Sequence, residues 1–500
     1  MSRKQKLILN TSLSICHKII SVICAFILPR LIISTYGSSV NGLTESIANF
    51  LGFISMLEMG ITSVIDANLY KPLALKDYDK VNDIFVSSKR FFRKIALIFV
   101  AYVIILIFIF PQITDSFDPV FTSFLIVIIA ISTFSQYYFG MSYRILINAD
   151  QKGYIVTILQ GITIILNTVI SVILIKLNLS IHVVKLAIAL TSFIQPIFLF
   201  FYVKHKYHLN ERKIIKGEPI KQKWNGLAQH LAFIVSTKAD IVILTVFSTL
   251  LNVSIYGVYI LVLSGLTTIF DAIYVGVSPM IGNMFANEEK ETLNKTFSAY
   301  DWVSHFSTTL LFSICGVLIV PFVKLYTSGI VDAKEYIVPV FACLITLAYA
   351  IQVLRTPYKT LVHVAGHFKQ TQTSAIIEMI LNIVISIIAV FNFGLIGVAI
   401  GTIVAMTYRT LYFVWYLSKN IVHRPIKYFL RSIAVDIISA FAIILPAILI
   451  NVTCSSYFDW VIYAIIISVW GIISSLLINL IFSKNTIKSF IKLLKSKTSI

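Results

Sequence analysis

Charged residues are scarce in this chain: Asp, Glu, Lys and Arg make up only 13% of its 500 residues, about half the share found in soluble domains. Long polar segments are also missing. The longest, 204–223, spans only about 20 residues, whereas a folded domain needs about 50 or more. These absences exclude a soluble enzyme, and they leave no loop in which a catalytic domain of ordinary size could fold.

Motifs for metal, nucleotide or redox chemistry are absent as well. The five cysteines are scattered and lack metal-binding or redox spacing. No P-loop is present, which excludes ATP hydrolysis by this chain. Asp77 and Asp79 imitate the metal-binding pair of some glycosyltransferases, but no nucleotide-binding domain surrounds them. We therefore predict no cofactor and no metal.

What fills the chain instead is hydrophobic sequence, which accounts for 58% of the residues. We count about fourteen apolar runs of about 20 residues, the length that crosses a bilayer as a helix. A helix satisfies its own backbone hydrogen bonds in lipid. The sequence predicts an all-α integral membrane protein with about fourteen transmembrane helices; the second and fourth runs are 41–69 and 121–147.

The distribution of basic residues among the loops predicts which side of the membrane each loop lies on. The net charge of +19 does not point to nucleic acid, because the lysines and arginines lie in short loops. With both termini inside, about 33 of the 41 fall on the cytoplasmic side, as the positive-inside rule requires. We predict cytoplasmic termini. The basic tail 484–497 either contacts anionic lipid or is simply solvated.

A faint repeat about 215 residues apart suggests two related halves. Val40, Asn41 and Gly42 open the second run much as Ile255, Tyr256 and Gly257 open the eighth. Parallel repeats of this kind occur in transporters, with the substrate site between them. We predict two pseudo-symmetric six-helix lobes and two additional C-terminal helices. The boundaries are 1–207 for the first lobe, 208–226 for a cytoplasmic linker, 227–420 for the second lobe and 421–500 for the last two helices and tail.

Cations inside the apolar runs are the first candidates for function, because a buried charge costs about 2.5–3.5 kcal/mol on insertion scales. Lys18, Arg30 and Lys238 could line a path for an anionic headgroup. Alternatively, Lys18 pairs with a carboxylate such as Glu45, and Arg30 extends to the membrane surface.

Acidic residues in the runs are the second group. Asn41, Glu45 and Asn49 form one polar stripe at i, i+4, i+8 spacing. Carboxyl groups withdrawn from water can exchange protons near neutral pH, or they form structural ion pairs. Lys238 and Asp240 lie about 200° apart around their helix, so only one can face a cavity. The candidates for ion coupling are Glu45, Glu58, Asp66, Asp240 and Asp271.

Several short motifs resemble polysaccharide flippases of the multidrug/oligosaccharidyl-lipid/polysaccharide exporter superfamily. The resemblance rests on the sequences LEMGI at 57–61, LYKPLA at 69–74, YG at 36–37, NGL at 41–43 and YR at 143–144. It implies two six-helix lobes, two extra helices and alternating access. It also implies cationic residues at the substrate site, and Lys18, Arg30 and Lys238 supply such cations here, with Arg144 toward the inner mouth. Flippases of this superfamily often carry several arginines in the cavity, whereas lysines replace some of them in this chain.

The resemblance implies a function: translocation of undecaprenyl-diphosphate-linked oligosaccharides from the inner to the outer leaflet of a bacterial plasma membrane. Expected partners are that lipid, membrane lipids, a polysaccharide polymerase and glycosyltransferases. One alternative is an ion-coupled drug/cation antiporter of the same superfamily. Another is a membrane polysaccharide polymerase, although such enzymes typically need a larger outer loop. The sugar, the coupling ion and the oligomeric state do not follow from the sequence.

Overall fold

The computed structural model describes residues 3–114, 116–207, 209–210, 227–274, 277–450, 452–488 and 490. These residues are almost entirely helical, and none of them forms a β-strand. The helices of the first half are α1 (Arg3–Tyr36), α2 (Ser38–Leu51), α3 (Met56–Leu75), α4 (Tyr78–Ile113), α5 (Pro119–Ser135), α6 (Met141–Ala149), α7 (Gly153–Lys176), α8 (Ile181–Thr191), α9 (Ile194–Tyr207) and α10 (Leu227–Phe247).

The second half continues in the same way after α10. Its helices are α11 (Leu250–Tyr274), α12 (Val277–Ala286), α13 (Lys290–Tyr326), α14 (Pro339–Leu354), α15 (Thr356–Val364), α16 (Phe368–Phe393), α17 (Leu395–Asn420), α18 (Lys427–Ile450) and α19 (Tyr457–Phe482).

All fourteen predicted runs coincide with helices. In the described residues, twelve helical segments are long and apolar enough to cross a membrane. The two remaining runs are the interrupted pair α2 and α3, and α10. The predicted all-α membrane fold is confirmed.

Apolar side chains cover the outside of the helices, the reverse of a soluble protein. Phe108 is 70% exposed on α4, and Phe458 and Ile481 are each 73% exposed on α19. Apolar patches of this extent on a protein surface mark contact with a membrane or a partner. On helices of membrane-spanning length, they are the lipid-facing surface.

Three predicted runs, 41–69, 121–147 and 181–203, are interrupted within the described residues, the last of them between α8 and α9 at 192–193. The run 41–69 is interrupted by a 3₁₀ turn at Gly52–Ser55, where the Ser55 hydroxyl donates to the Gly52 carbonyl at 2.7 Å. The run 121–147 contains a π-helical segment at Gln136–Gly140. Both kinds of irregularity are frequent at functional sites.

The chain forms two compact units, Met1–Ser254 and Ile255–Ile500, so the boundary lies within α11. In the first unit, α10 packs against α2 and α3. Most of the linker predicted at 208–226 lies outside the described residues. The internal repeat and its lobe boundaries stay a prediction.

In the second unit, close helix packing depends on small residues, as is common in membranes. A Cβ at Gly397 or Gly401 of α17 would collide with the backbone or side chains of α16. The last two helices, α18 and α19, pack against α13 through a buried cluster that includes Ile314, Ile443 and Ile467. These contacts fix the two C-terminal helices to this unit.

Candidate functional site

The polar stripe predicted on α2 forms much of the contact between α2 and the segment from α10 to the start of α11. The Asn41 amide donates to the hydroxyl of Ser254 at 2.9 Å, and the hydroxyls of Ser46 and Thr245 are 2.7 Å apart. All four side chains are buried. Gly42 allows this approach, because any side chain there would collide with the backbone of Leu250.

A group of three charges lies along this stripe. Glu45 of α2 interacts electrostatically with Lys185 of α8 and Lys238 of α10. We call these three residues the Glu45 cluster. The Lys238 ammonium group also donates to the amide oxygen of Asn49 at 3.4 Å. Two lysines against one glutamate leave this cluster, counted over the described residues, with one positive charge in excess.

The 3₁₀ turn between α2 and α3 lies directly beside this cluster. A Cβ added to Gly52 would lie 2.6 Å from the Nζ atom of Lys238. The absence of a side chain at position 52 is therefore what allows the lysine to lie against the turn. The helix break and the placement of the cation belong to one local arrangement.

A second group of charged residues in the first unit has more negative than positive charge. The Tyr137 hydroxyl, in the π-helical segment, donates to the Glu58 carboxylate at 2.7 Å. Arg144 of α6 interacts electrostatically with both Glu58 and Asp66 of α3. Among the described residues, Oδ1 of Asp66 is buried without a hydrogen-bond partner. We call Glu58, Asp66, Arg144 and Tyr137 the Glu58 cluster.

The other predicted residues do not take part in the interactions that define these two clusters. Lys18 and Arg30 are half-buried on α1, and the cations that act on Glu45 are Lys185 and Lys238. Asp240 is 5% exposed and lies on the side of α10 away from Lys238. Asp271 is exposed on α11 of the second unit.

The second unit contains a buried network that was not predicted as a site. His305 of α13 lies between two carboxylates, with Nδ1 at 2.5 Å from Asp436 and Nε2 at 3.5 Å from Asp301. Arg424 donates to Asp301 at 2.8 Å, and Tyr358 also forms a hydrogen bond with Asp301. We call Asp301, His305, Arg424 and Asp436 the His305 network.

A further unpredicted group joins three segments of the second unit. Arg355, between α14 and α15, donates to the Glu378 carboxylate of α16. Nη1 of Arg409 of α17 lies 3.8 Å from the other oxygen of Glu378. Lys359 of α15 interacts electrostatically with all three. These four residues form the Arg409 cluster.

No family model and no curated protein matches the sequence. Solved structures of low identity do match its fold. The lipid II flippase MurJ, in an inward closed conformation, aligns with a TM-score of 0.69 and 17% identity, covering 96% of this chain and 100% of that chain. A multidrug resistance MATE family transporter of the MOP superfamily, facing inward, aligns with a TM-score of 0.58 and 12% identity, covering 84% of this chain and 95% of its own.

The MATE multidrug transporter DinF-BH is also similar, with a TM-score of 0.55, 14% identity, and coverage of 83% of this chain and 97% of that one. At such identities the similarity concerns the fold. This chain is a multi-pass membrane protein with the fold of MOP superfamily transporters.

Proposed function

We propose that this protein is a flippase that moves undecaprenyl-diphosphate-linked oligosaccharides from the inner to the outer leaflet of a bacterial plasma membrane by alternating access. The observation that carries this proposal is the surplus cation of the Glu45 cluster, in a chain whose fold is similar to that of a lipid II flippase along its full length. A substrate with a diphosphate group requires cations in a site shielded from water.

We assign the cationic candidate residues to substrate binding. Lys238 has the clearest substrate-binding position, because it belongs to a cluster with excess positive charge. Lys18 and Arg30 on α1 extend the proposed cationic path. Arg144 lies with Glu58 and Asp66, so we assign it to the inner end of the path, where carboxylates balance it.

The acidic residues are assigned to energy coupling. Glu58 and Asp66 are the foremost candidates, because two carboxylates share one arginine in the Glu58 cluster. Glu45, Asp240 and Asp271 are the remaining candidates. The driving force would be an ion gradient or the membrane potential.

The MATE-like fold gives the competing proposal, an ion-coupled drug/cation antiporter. The MATE match covers 84% of this chain. The flippase match covers 96%. Extra helices and a cationic cluster favour a lipid-linked anion over a cationic drug.

Deletion of the gene in its host tests the proposal. We expect the diphosphate-linked oligosaccharide to accumulate in the inner leaflet, with loss of surface polysaccharide. Complementation with Lys18→Gln or Arg30→Gln should restore less than about a tenth of export at normal protein levels, and Lys369→Gln, an exposed position on α16, should restore it fully. Wild-type export in both α1 variants would discard the cationic path. A deletion strain that exports polysaccharide normally but retains ethidium would favour the antiporter.

The same proposal places both termini in the cytoplasm and makes a polysaccharide polymerase and glycosyltransferases functional partners. Cysteine labelling from outside intact cells tests the topology: residues near the N-terminus should react only after the membrane is permeabilised.

A further inference from the structure

The Arg409 cluster has more positive charge than its carboxylates balance. Glu378 receives a hydrogen bond from Arg355 and lies 3.8 Å from Arg409. Lys359 adds a third cation, and Asp271 interacts with it electrostatically. Among the described residues, the three cations of the cluster interact with Glu378 and with Asp271, an exposed residue outside the cluster, which leaves one positive charge in excess.

Arg409 is the residue at which this excess is least satisfied. Arg409 is only 8% exposed. Its Nε and Nη1 atoms have no hydrogen-bond acceptor among the described residues. The guanidinium lies over the ring of Phe413, 4.6 Å from its centroid. A buried donor without an acceptor is costly, and a planar guanidinium binds carboxylate or phosphate through two N–H groups.

The depth of the cluster argues against an ordinary surface ion pair. Arg355, Glu378 and Arg409 each lie about 14–17 Å along their helices from the nearer ends at Val364, Phe368 and Asn420. The hydrocarbon core is about 30 Å thick. With the helix ends placed at the membrane surfaces, all three charges lie at a similar depth inside the bilayer, where unbalanced charge marks a substrate or ion pathway.

A stripe of tyrosines lies next to Arg409 on the same helix. Tyr408, Tyr412 and Tyr416 follow i, i+4, i+8 spacing. The rings of Tyr412 and Tyr416 stack with centroids 6.0 Å apart, and those of Tyr408 and Tyr412 are 6.4 Å apart. Tyr408 and Tyr412 interact electrostatically with Arg409. Tyrosine presents an apolar face and a polar hydroxyl, which suits the face and the hydroxyl groups of a sugar ring.

We propose that the Arg409 cluster and this tyrosine stripe form a binding site for an acidic saccharide. Arg409 binds the carboxylate or phosphate of the sugar, and the partly exposed rings of Tyr408 and Tyr412 stack against the sugar ring, while the buried Tyr416 supports Tyr412 from below. Glu378 holds Arg355 in place. It also limits the affinity for the acidic saccharide, because its carboxylate already neutralises part of the positive charge of the cluster. The inference rests on the proposed function and specifies the class of headgroup that it carries.

Ligand-observed NMR on the purified full chain in nanodiscs tests this site with three probes: glucuronic acid, glucose 1-phosphate and glucose. We expect both anionic probes to bind at least about tenfold more tightly than glucose, since one bidentate charged contact corresponds to about this factor. Tighter binding of glucuronic acid assigns the charge to a sugar carboxylate, and tighter binding of glucose 1-phosphate assigns it to a phosphate.

Variants separate binding from structure. Arg409→Gln should remove the preference for anionic probes, and Lys369→Gln, an exposed cation change on a neighbouring helix, should leave it intact. Glu378→Gln should increase affinity for both anionic probes, because it removes the competing carboxylate. If Arg409→Gln does not fold, Glu378→Gln decides the question: unchanged or weaker anion binding overturns the site.

The two proposals fail separately. Reconstituted protein that moves a lipid-linked oligosaccharide across liposomes but binds glucose as well as glucuronic acid overturns the saccharide site alone. Protein that selects anionic sugars but moves no lipid-linked oligosaccharide overturns the proposed flippase function alone.

Discussion

Two buried charge groups in the second unit differ in how completely their charges are balanced. In the His305 network, Asp301 and Asp436 face Arg424 and His305, so a protonated imidazole brings the sum to zero. In the Arg409 cluster, Glu378 and the exposed Asp271 face three cations. With the imidazole protonated, the charges of the first group balance, although Oδ1 of Asp301 and Nε2 of His305 accept or donate no hydrogen bond among the described residues. The second group retains a positive charge, and within the described part of the chain Nε and Nη1 of Arg409 have no hydrogen-bond acceptor.

This difference distinguishes buried charges that stabilise the fold from buried charges that are available to bind a ligand. A balanced network connects helices: the His305 network joins α13 to α18 through mostly buried side chains, and Tyr358 of α15 forms a hydrogen bond with its Asp301. An unbalanced cluster lacks a counter-charge that a ligand can supply. By this criterion the Glu45 cluster, with two lysines and one glutamate, belongs with the Arg409 cluster.

The largest expected effect comes from breaking the balanced network. Asp301→Ala would leave Arg424 and Tyr358 without their shared acceptor. Removing one partner of a buried ion pair typically costs about 3–5 kcal/mol. We expect this variant to lower the free energy of unfolding by about that amount, measured by denaturant titration in mixed micelles.

The controls for this prediction lie on the same helix and in the other cluster. Glu291→Ala removes a carboxylate from the exposed start of α13 and should leave the free energy of unfolding unchanged. Arg409→Gln should cost clearly less than Asp301→Ala, because it removes a cation from an excess. Equal losses in the two buried variants would end the distinction between the groups.

Much of the fold could be predicted from the sequence. Apolar length located all fourteen runs, because a helix crossing lipid needs a continuous hydrophobic segment. The interruptions at Gly52–Ser55 and Gln136–Gly140 could not be predicted. Gly52 makes room for Lys238, which comes from a helix distant in sequence, and nothing in the segment 136–140 distinguishes a π-helix from an α-helix.

The candidate site could be predicted only in part. The stripe Asn41, Glu45, Asn49 lies on one helix, so its spacing showed that these side chains share a face. Lys185 remained unassigned as a partner of Glu45 because the pairing of α2 with α8 leaves no local pattern. The Arg409 cluster could not be predicted for the same reason, because its members come from three segments. Asp301 and His305, at i, i+4 spacing, were the one local signal of the His305 network.

A smaller effect is expected from displacing a surplus cation without changing any charge. Gly52→Ala places a methyl group against the Lys238 ammonium, which must move away from Asn49. We expect the rate of lipid-linked oligosaccharide translocation in liposomes to fall about tenfold, equivalent to about 1.4 kcal/mol, with the melting temperature nearly unchanged.

Gly161→Ala is the matched control, because a Cβ there meets only a carbon of His17 at 3.8 Å. Both changes replace a helical or near-helical glycine by a better helix former. Equal rates in the two variants would show that the position of Lys238 is irrelevant to translocation.

The smallest expected effect concerns the aromatic rings beneath the two arginines. Arg409 lies 4.6 Å from the ring centroid of Phe413, and Arg424 lies 5.0 Å from that of Tyr428. Cation–π contacts contribute about 0.5–1 kcal/mol when exposed and about 2 kcal/mol when desolvated.

Double-mutant cycles isolate each contact from the loss of apolar burial, using Phe413→Leu with Arg409→Gln and Tyr428→Leu with Arg424→Gln. In the described part of the chain, the carboxylate nearest to the Arg409 guanidinium is that of Glu378 at 3.8 Å, whereas Arg424 donates to Asp301 at 2.8 Å. Since the less satisfied cation depends more on the ring, we expect the larger coupling energy at Phe413. A larger coupling energy at Tyr428 would mean that the Arg409 charge is already balanced, and the contrast between the two groups would then lose its physical basis.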